Sequence, residues 1–190
     1  MSIYSYVVMT RILSFDISST TTGYAILDVD MDTKEIKFVS CNHLKPIKDG
    51  GIIERIADTR DKISNIIVES KPDLIGIENI ISFMGGRSTS NTIIMLTTFN
   101  RMICLAAYDY LNKSPELFSV LSIRHGLKKD KIFPKKEDMP ALVSEHLGVI
   151  FPYVTGKKGK IMPESYDRAD AVAVGLYYAF LLTGRIKKKK

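Results

Sequence analysis

Three short strand-like runs lie close together at the start of this chain, and their spacing limits the folds that it can adopt. Residues 12–15 are an apolar run, a polar turn follows over 16–23, and residues 24–27 are a second apolar run. After further turn residues, positions 36–41 form a third run with weaker alternation. Short polar turns of this kind connect antiparallel neighbours. The chain is therefore predicted to begin with three antiparallel strands.

Helices and strands alternate after this opening. Apolar residues recur at helical spacing over 52–67, and Pro72 follows them. Residues 74–77 form a short strand that is apolar on both faces, which is typical of a strand added in parallel. The later elements are predicted as a helix at 92–111, a strand at 117–121, a helix at 135–147 and a helix at 165–182. The predicted fold is α/β, with a five-stranded mixed sheet of three antiparallel strands and two parallel additions, flanked by helices.

The predicted helix at 92–111 is apolar on nearly all sides. A helix of this kind is buried on more than one face. We therefore expect its second face to meet either another helix of the chain or a partner subunit.

The chain of 190 residues, 45% of them hydrophobic, is long enough to bury one substantial core. We expect an N-terminal extension at 1–10, one domain at 11–184 and a basic tail at 185–190. Cys41 and Cys104 lack the spacing of a zinc site, and no run is apolar enough to span a bilayer, so a reduced, soluble, cytoplasmic protein is expected.

Basic residues are concentrated in three places. The formal net charge is +6, and the four lysines at 187–190 supply four of these charges. Two further clusters occupy residues 124–136 and 157–160. This distribution favours a polyanionic partner, and nucleic acid is preferred over a membrane surface because no amphipathic basic helix accompanies the charges.

Four carboxylates stand at positions where the fold could bring them together. Asp16 ends the first apolar run and Glu78 ends the run at 73–78, while Asp167 and Asp170 share one face at the start of the last predicted helix. Taken singly, they also fit an Asx turn, a solvent-facing strand end and helix capping. Together they form an oxygen-only donor set, which suits Mg²⁺ or Mn²⁺ better than zinc. Two such ions support phosphodiester hydrolysis, so a nuclease is predicted.

Three segments resemble the RuvC family of Holliday-junction resolvases. They are the strand, turn and strand at 13–26 with Asp16 and Gly23, the segment Ile75-Gly-Ile-Glu78, and Asp167-Arg-Ala-Asp170 with the apolar run after it. The resemblance covers residues 13 to about 182. It implies an RNase H-like fold, a homodimer, and paired magnesium-dependent nicks in four-way DNA junctions during recombination and repair. It also implies that the four acids hold two metal ions and are catalytic.

The same resemblance suggests residues that contact DNA. A family lysine that precedes the acidic pair matches Lys136 most closely, with Lys135 as the competing position, and Arg124 or Lys128 is expected to replace an upstream lysine. Phe83 is the candidate for stacking on bases, and Arg87 is the candidate for a phosphate contact.

Three alternatives stay open at this point. A nuclease of the same fold could act on an RNA:DNA hybrid or on RNA. The turn that carries Asp16 and Gly23 also occurs in actin-like ATP-binding proteins, although these duplicate the core. A DNA-binding protein without catalysis would require the placement of the four acids to be a coincidence.

Overall fold

The computed structural model describes residues 8–18, 20–80, 89–129 and 132–187. These residues form ten main elements: β1 (Met9–Ile17), β2 (Thr22–Asp30), β3 (Ile36–Leu44), α1 (Ile52–Ser70), β4 (Leu74–Asn79), α2 (Ser90–Leu111), β5 (Glu116–Ser119), α3 (Val120–Leu127), α4 (Met139–Leu147) and α5 (Glu164–Leu182). Two short 3-10 turns at Lys136–Asp138 and Lys157–Gly159 precede α4 and α5 respectively.

The strands form one sheet in the order β3-β2-β1-β4-β5. β1 pairs antiparallel with β2, and β2 pairs antiparallel with β3. β4 joins the other side of β1 in parallel, and β5 joins β4 in parallel. The predicted five-stranded mixed sheet is confirmed, with three antiparallel strands and two parallel additions.

Each face of the sheet has its own apolar core. One core joins α1 and α2 to the sheet through residues such as Ile63, Phe99 and Ile103. The other is built around α5, whose residues from Ala169 to Phe180 are all buried. A helix that is apolar on all sides needs neighbours on all sides, and here the sheet lies on one side of it and α3 and α4 lie against it on others.

One buried polar contact joins α5 to the centre of the sheet. The Ser14 hydroxyl donates a hydrogen bond of 2.7 Å to the Ala171 carbonyl, and Ser14 is completely buried. A Cβ atom at Gly175, one turn further along α5, would lie 2.7 Å from the same hydroxyl oxygen. The small residue lets the helix approach β1 closely enough for this hydrogen bond.

Several predicted boundaries differ from the structure, among them the start of β1, the end of β5 and the start of α4. β1 begins at Met9, so residues 9 and 10 pair with β2 although they were assigned to the extension. The strand predicted to reach residue 121 ends at Ser119, because the Ser119 side chain accepts a hydrogen bond from the Ser122 N–H and starts α3. α3 was not predicted. The helix expected from residue 135 begins as a 3-10 turn and becomes α-helical only at Met139.

In the described part of the chain, no helix is both long and apolar enough to cross a bilayer. Cys41 and Cys104 are free thiols, as expected. The predicted division of the chain into extension, domain and tail stays a prediction, and residues 1–7 and 188–190 lie outside the described part.

Candidate active site

Two of the four carboxylates lie near the C-terminal ends of neighbouring parallel strands. Phe15 of β1 pairs with Ile77 of β4, so the next residues, Asp16 and Glu78, extend from the same edge of the sheet. The charge of Glu78 raises the pKa of Asp16, which places the two carboxyl groups within electrostatic reach of each other. The order and direction of the strands therefore bring together two residues that lie 62 positions apart in the sequence.

The start of α5 reaches the same edge through contact with Gly23. Gly23 pairs with Asp16 across β1 and β2. A Cβ atom at Gly23 would lie 2.1 Å from the backbone oxygen of Asp167, a separation that no real side chain could adopt. The absence of a side chain at Gly23 therefore lets the helix bring Asp167 and Asp170 beside the ends of the strands.

Lys136 lies against the two helix carboxylates. Its Nζ is 2.9 Å from Asp167 Oδ1 and 3.5 Å from Asp170 Oδ2. Partial burial on its own lowers the pKa of Lys136, but the hydrogen bond to Asp167 and the surrounding negative charges outweigh it and raise the pKa above its usual range. The ammonium group therefore stays charged and offsets part of the repulsion between the acids.

Three of the carboxyl groups, those of Asp16, Glu78 and Asp170, resist ionisation. Burial, followed by the charge of Asp170, raises the pKa of Glu78 to about 7. Burial also raises the pKa of Asp170 to about 6, although nearby cations oppose this shift. The pKa of Asp16 is raised by burial first and then by the negative charge of Glu78. Several buried acids that repel one another form a site whose fully ionised state requires a cation.

Arg124 contributes a second positive charge from α3. Its charge lowers the pKa of both Glu78 and Asp170, so it lies within electrostatic reach of the site. Its Nε is buried and has no hydrogen-bond partner among the described residues. The guanidinium group therefore keeps an unused donor within electrostatic reach of the acids.

The other predicted DNA contacts are placed differently. Lys135 is exposed, and its backbone N–H donates to the Asp138 carboxylate. In the described part of the chain, it is Lys136 that forms the ion pairs with Asp167 and Asp170. Lys128 ends α3, where its N–H donates to the Arg124 carbonyl. Phe83 and Arg87 lie outside the described residues.

A link from α5 to β3 was not expected from the sequence. Arg168 Nε donates to His43 Nδ1 at 3.0 Å, and Arg168 Nη2 donates to Asn42 Oδ1 at 2.7 Å. Arg168 stands between Asp167 and Asp170, so these contacts hold the start of the helix against the sheet. The segment Asp-Arg-Ala-Asp gives no signal of this pairing, because the partners lie about 125 residues away.

The donor set fits a hard divalent cation. All four groups are carboxylates, the oxygen donors that hard divalent cations prefer. Burial, the largest cause, and repulsion between the acids raise the pKa values of Asp16, Glu78 and Asp170, so a bound cation would favour their ionised forms. Within the described ranges, no three acidic, histidine or cysteine side chains are grouped closely enough to enclose an ion as they stand. Coordination by Asp167 and Asp170 would compete with the ammonium group of Lys136, which already contacts both.

The shifted carboxyl groups predict an unusual pH dependence of stability. An acid whose pKa is raised by folding stabilises the protein below its unfolded pKa, and this contribution is lost as the pH rises through the folded value. For Glu78, a change from 4.5 to about 7 corresponds to roughly 3 kcal/mol. The metal-free protein should therefore become less stable between about pH 5 and about pH 8.

Urea denaturation at several pH values measures this effect, with Glu78→Gln as the comparison. The variant should lose the part of the decline that comes from Glu78, because the amide does not titrate, while Asp16 and Asp170 keep the rest. Burial lowers the pKa of His43, which acts in the opposite direction in this range, so the difference between the two proteins isolates the carboxyl group. Identical pH profiles for wild type and variant would contradict the assignment.

Known proteins share sequence and structure with this chain. No protein-family model matches the chain. The crossover junction endodeoxyribonuclease RuvC of Xanthomonas euvesicatoria is 27% identical over 177 residues, which cover 90% of this chain and 88% of that protein. RuvC of Halorhodospira halophila is 32% identical over 72 residues, a match that covers 38% of this chain and only 41% of that relative.

A solved structure extends the likeness to three dimensions. The RuvC of Thermus thermophilus, determined in complex with a Holliday junction substrate, superimposes with a TM-score of 0.66 at 13% identity. The superposition covers 90% of this chain and 94% of that one. At this identity the superposition shows that the fold is shared, and the sequence match to the Xanthomonas protein also covers 90% of this chain. In sequence and in fold, the chain is RuvC-like.

Proposed function

We propose that this protein is a structure-selective endodeoxyribonuclease that resolves four-way DNA junctions by metal-dependent phosphodiester hydrolysis. The observation that carries the proposal is the meeting of four carboxylates, from β1, β4 and α5, at one edge of a RuvC-like sheet. The relatives that match are named as crossover junction endodeoxyribonucleases, and the solved relative holds a Holliday junction.

Asp16, Glu78, Asp167 and Asp170 are the proposed ligands of two Mg²⁺ ions, with Mn²⁺ as a substitute. When bound, such ions activate water and stabilise the charge on the departing oxygen. The chain contributes the positions of the ligands: two are fixed by strand pairing and two by the contact between Gly23 and α5. The raised pKa values mean that ion binding would be favoured at neutral pH over acidic pH, since ligands must lose their protons.

Lys136 and Arg124 are the proposed contacts to the phosphate at the site. Lys136 already faces Asp167 and Asp170, and Arg124 holds a buried donor without a partner among the described residues. Four acids repel a phosphate group that approaches them, so nearby positive charge is needed to hold it. A guanidinium or ammonium group supplies this charge. Phe83 and Arg87 stay predictions for base stacking and phosphate contact.

A homodimer through α2 is the proposed assembly. α2 packs one face on the sheet and on α1, while Ile94, Leu105 and Tyr108 on other parts of the helix are 62%, 61% and 46% exposed. The sequence predicted a second covered face for this helix. No helix of the described residues covers these side chains, so a partner subunit is the remaining way to bury them. Two active sites in a dimer would make the paired nicks.

Leu105→Glu should weaken this dimer by at least about a hundredfold, because a charge would be buried in an apolar contact. Sedimentation velocity of wild type and variant over a range of concentrations gives the dissociation constant. Ile150→Glu is the matched control, since Ile150 is 95% exposed beyond α4. A wild type that stays monomeric at micromolar concentration, or a Leu105→Glu protein that dimerises normally, would refute the proposed interface.

A substrate comparison tests the proposed function. A four-way junction, a Y-shaped DNA, a linear duplex and an RNA:DNA hybrid, each labelled on one strand at a time, are incubated with the protein in magnesium. The four-way junction should be nicked in two opposing strands and the linear duplex left intact. Preferential cleavage of the hybrid would support the alternative nuclease of the same fold. Because the proposed substrate is DNA and both cysteines are free thiols, we propose that the protein acts in the cytoplasm.

A further inference from the structure

A hairpin that carries three lysines leads directly into α5. Residues 154–162, here called the lysine hairpin, pair through a bridge between Thr155 and Ile161. The Gly156 N–H donates to the Lys160 carbonyl at 2.8 Å, and the Met162 N–H donates to the Val154 carbonyl at 2.9 Å. The segment is therefore a hydrogen-bonded hairpin with a defined shape.

The base of the lysine hairpin is fixed to the first turn of α5. Ser165 is completely buried, and its hydroxyl oxygen accepts from the Val154 N–H at 2.9 Å. The same hydroxyl lies 3.2 Å from the Val154 carbonyl. Ser165 stands two residues before Asp167, whose backbone contacts Gly23 at the candidate site. The hairpin is thus anchored to the part of the helix that positions the carboxylates.

The tip of the hairpin holds positive charge that no acid of the described residues pairs with. Lys157, Lys158 and Lys160 are exposed, and none of them takes part in an ion pair of the described residues. Glu164, the nearest acid in the sequence, is paired with Lys45 instead. Lys158 and Gly159 both have positive φ, at 59° and 71°, which makes the turn tight and keeps the three lysines close together.

The composition of the hairpin indicates what it binds. Residues 154–162 contain no aromatic side chain that could stack on a base and no planar amide or guanidinium group for a two-point contact with a base edge. Lysine ammonium groups act as point charges toward phosphate. DNA that brings a phosphate to the four carboxylates must pass the start of α5, where the hairpin is anchored.

We propose that the lysine hairpin binds the phosphate backbone of a duplex arm next to the cleavage site, through Lys157, Lys158 and Lys160. This inference rests on the proposed function, because it assumes that branched DNA reaches the carboxylates. The hairpin would hold this arm independently of base sequence. Its positive charge would also offset the repulsion that the four acids exert on DNA.

The salt dependence of binding measures the number of phosphate contacts. Junction affinity is followed by fluorescence anisotropy without divalent ions, over a range of KCl concentrations, for wild type and for a variant with Lys157, Lys158 and Lys160 changed to Gln. Each lost contact lowers the slope of log affinity against log salt by ~0.9, so the triple variant should lose about two to three units of slope. Its affinity at moderate salt should fall about tenfold or more.

Two control proteins separate a specific contact from a loss of net charge. Three exposed lysines, Lys34, Lys71 and Lys113, lie near the ends of the strands opposite to the four carboxylates. Changing all three to Gln removes the same charge as the hairpin variant. This control should keep at least most of the wild-type slope. A variant with Arg at the three hairpin positions should restore binding, because the charge is retained.

The outcomes distinguish the two proposals. The role of the hairpin is overturned, and the proposed function stands, if wild type binds the junction and one of two results is found. The first is an equal slope for the hairpin variant and wild type. The second is an equal loss of slope in the hairpin and control variants. A wild type that shows no salt-dependent binding to the junction overturns both.

Discussion

Asp16→Asn should reduce cleavage of a four-way junction by at least about a thousandfold while leaving junction binding intact or tighter. The change removes one anionic ligand from the proposed metal site. Metal ions stabilise the transition state by several kcal/mol, and a loss of about 4 kcal/mol lowers the cleavage rate a thousandfold. Binding is retained because the lost charge faces the DNA phosphates and repels them. Glu78→Gln should behave in the same way, since its carboxyl group extends from the adjacent strand.

Single-turnover cleavage and anisotropy binding, measured on the same protein samples, give both quantities. Asp32→Asn is the matched control, because Asp32 is an exposed aspartate in the turn between β2 and β3, at the far edge of the sheet. It should cleave like wild type. Cleavage by Asp16→Asn at the wild-type rate would remove Asp16 from the proposed site, and loss of binding in both variants would show that the acids support the fold and not the reaction.

The second large effect concerns folding. Gly23→Ala should lower the free energy of unfolding by at least about 3 kcal/mol, the upper part of the range for overpacked cores. The added Cβ would lie 2.1 Å from the Asp167 backbone oxygen and 3.1 Å from the Arg168 nitrogen. Both atoms belong to the backbone of α5, which Arg168 and Ser14 hold to the sheet, so neither side can move away easily.

Urea denaturation of Gly23→Ala and Gly184→Ala separates the contact from backbone strain. Gly184 has a φ of 72° and nothing within 4 Å of an added Cβ, so its replacement should cost only about 1 kcal/mol, from the left-handed backbone alone. Surviving Gly23→Ala protein should also cleave poorly, because the displaced helix carries Asp167 and Asp170. Equal stability losses in the two variants would contradict the close approach.

The sheet could be predicted because turn residues and Pro72 separate its strands clearly. β4 follows Pro72 and ends near Glu78, and its apolar residues on both faces indicated a parallel neighbour. α3 could not be predicted in the same way. The apolar run at 117–121 continues from β5 into α3 without a break, and a short apolar run does not distinguish a strand from a helix. The cap formed by Ser119 decides the boundary.

The candidate site was only partly accessible from the sequence. The strand ends pointed to Asp16 and Glu78, and the helical spacing pointed to Asp167 and Asp170. The choice between Lys135 and Lys136 depends on the 3-10 turn before α4, because a change of one residue turns the side chain away from the acids. The contacts of Arg168 with Asn42 and His43 depend on packing between distant segments, which no local pattern reveals.

The central claim is that the four carboxylates form a metal-dependent centre that cuts junction DNA. The most direct measurement follows nicking of a strand-labelled four-way junction while Mg²⁺ is titrated into wild type and Asp16→Asn, with excess EDTA as the end point. Wild type should produce nicks in two opposing strands that rise with Mg²⁺ and disappear in EDTA, while Asp16→Asn produces none. Nicking that survives EDTA, or nicking by Asp16→Asn at the wild-type level, would contradict the claim.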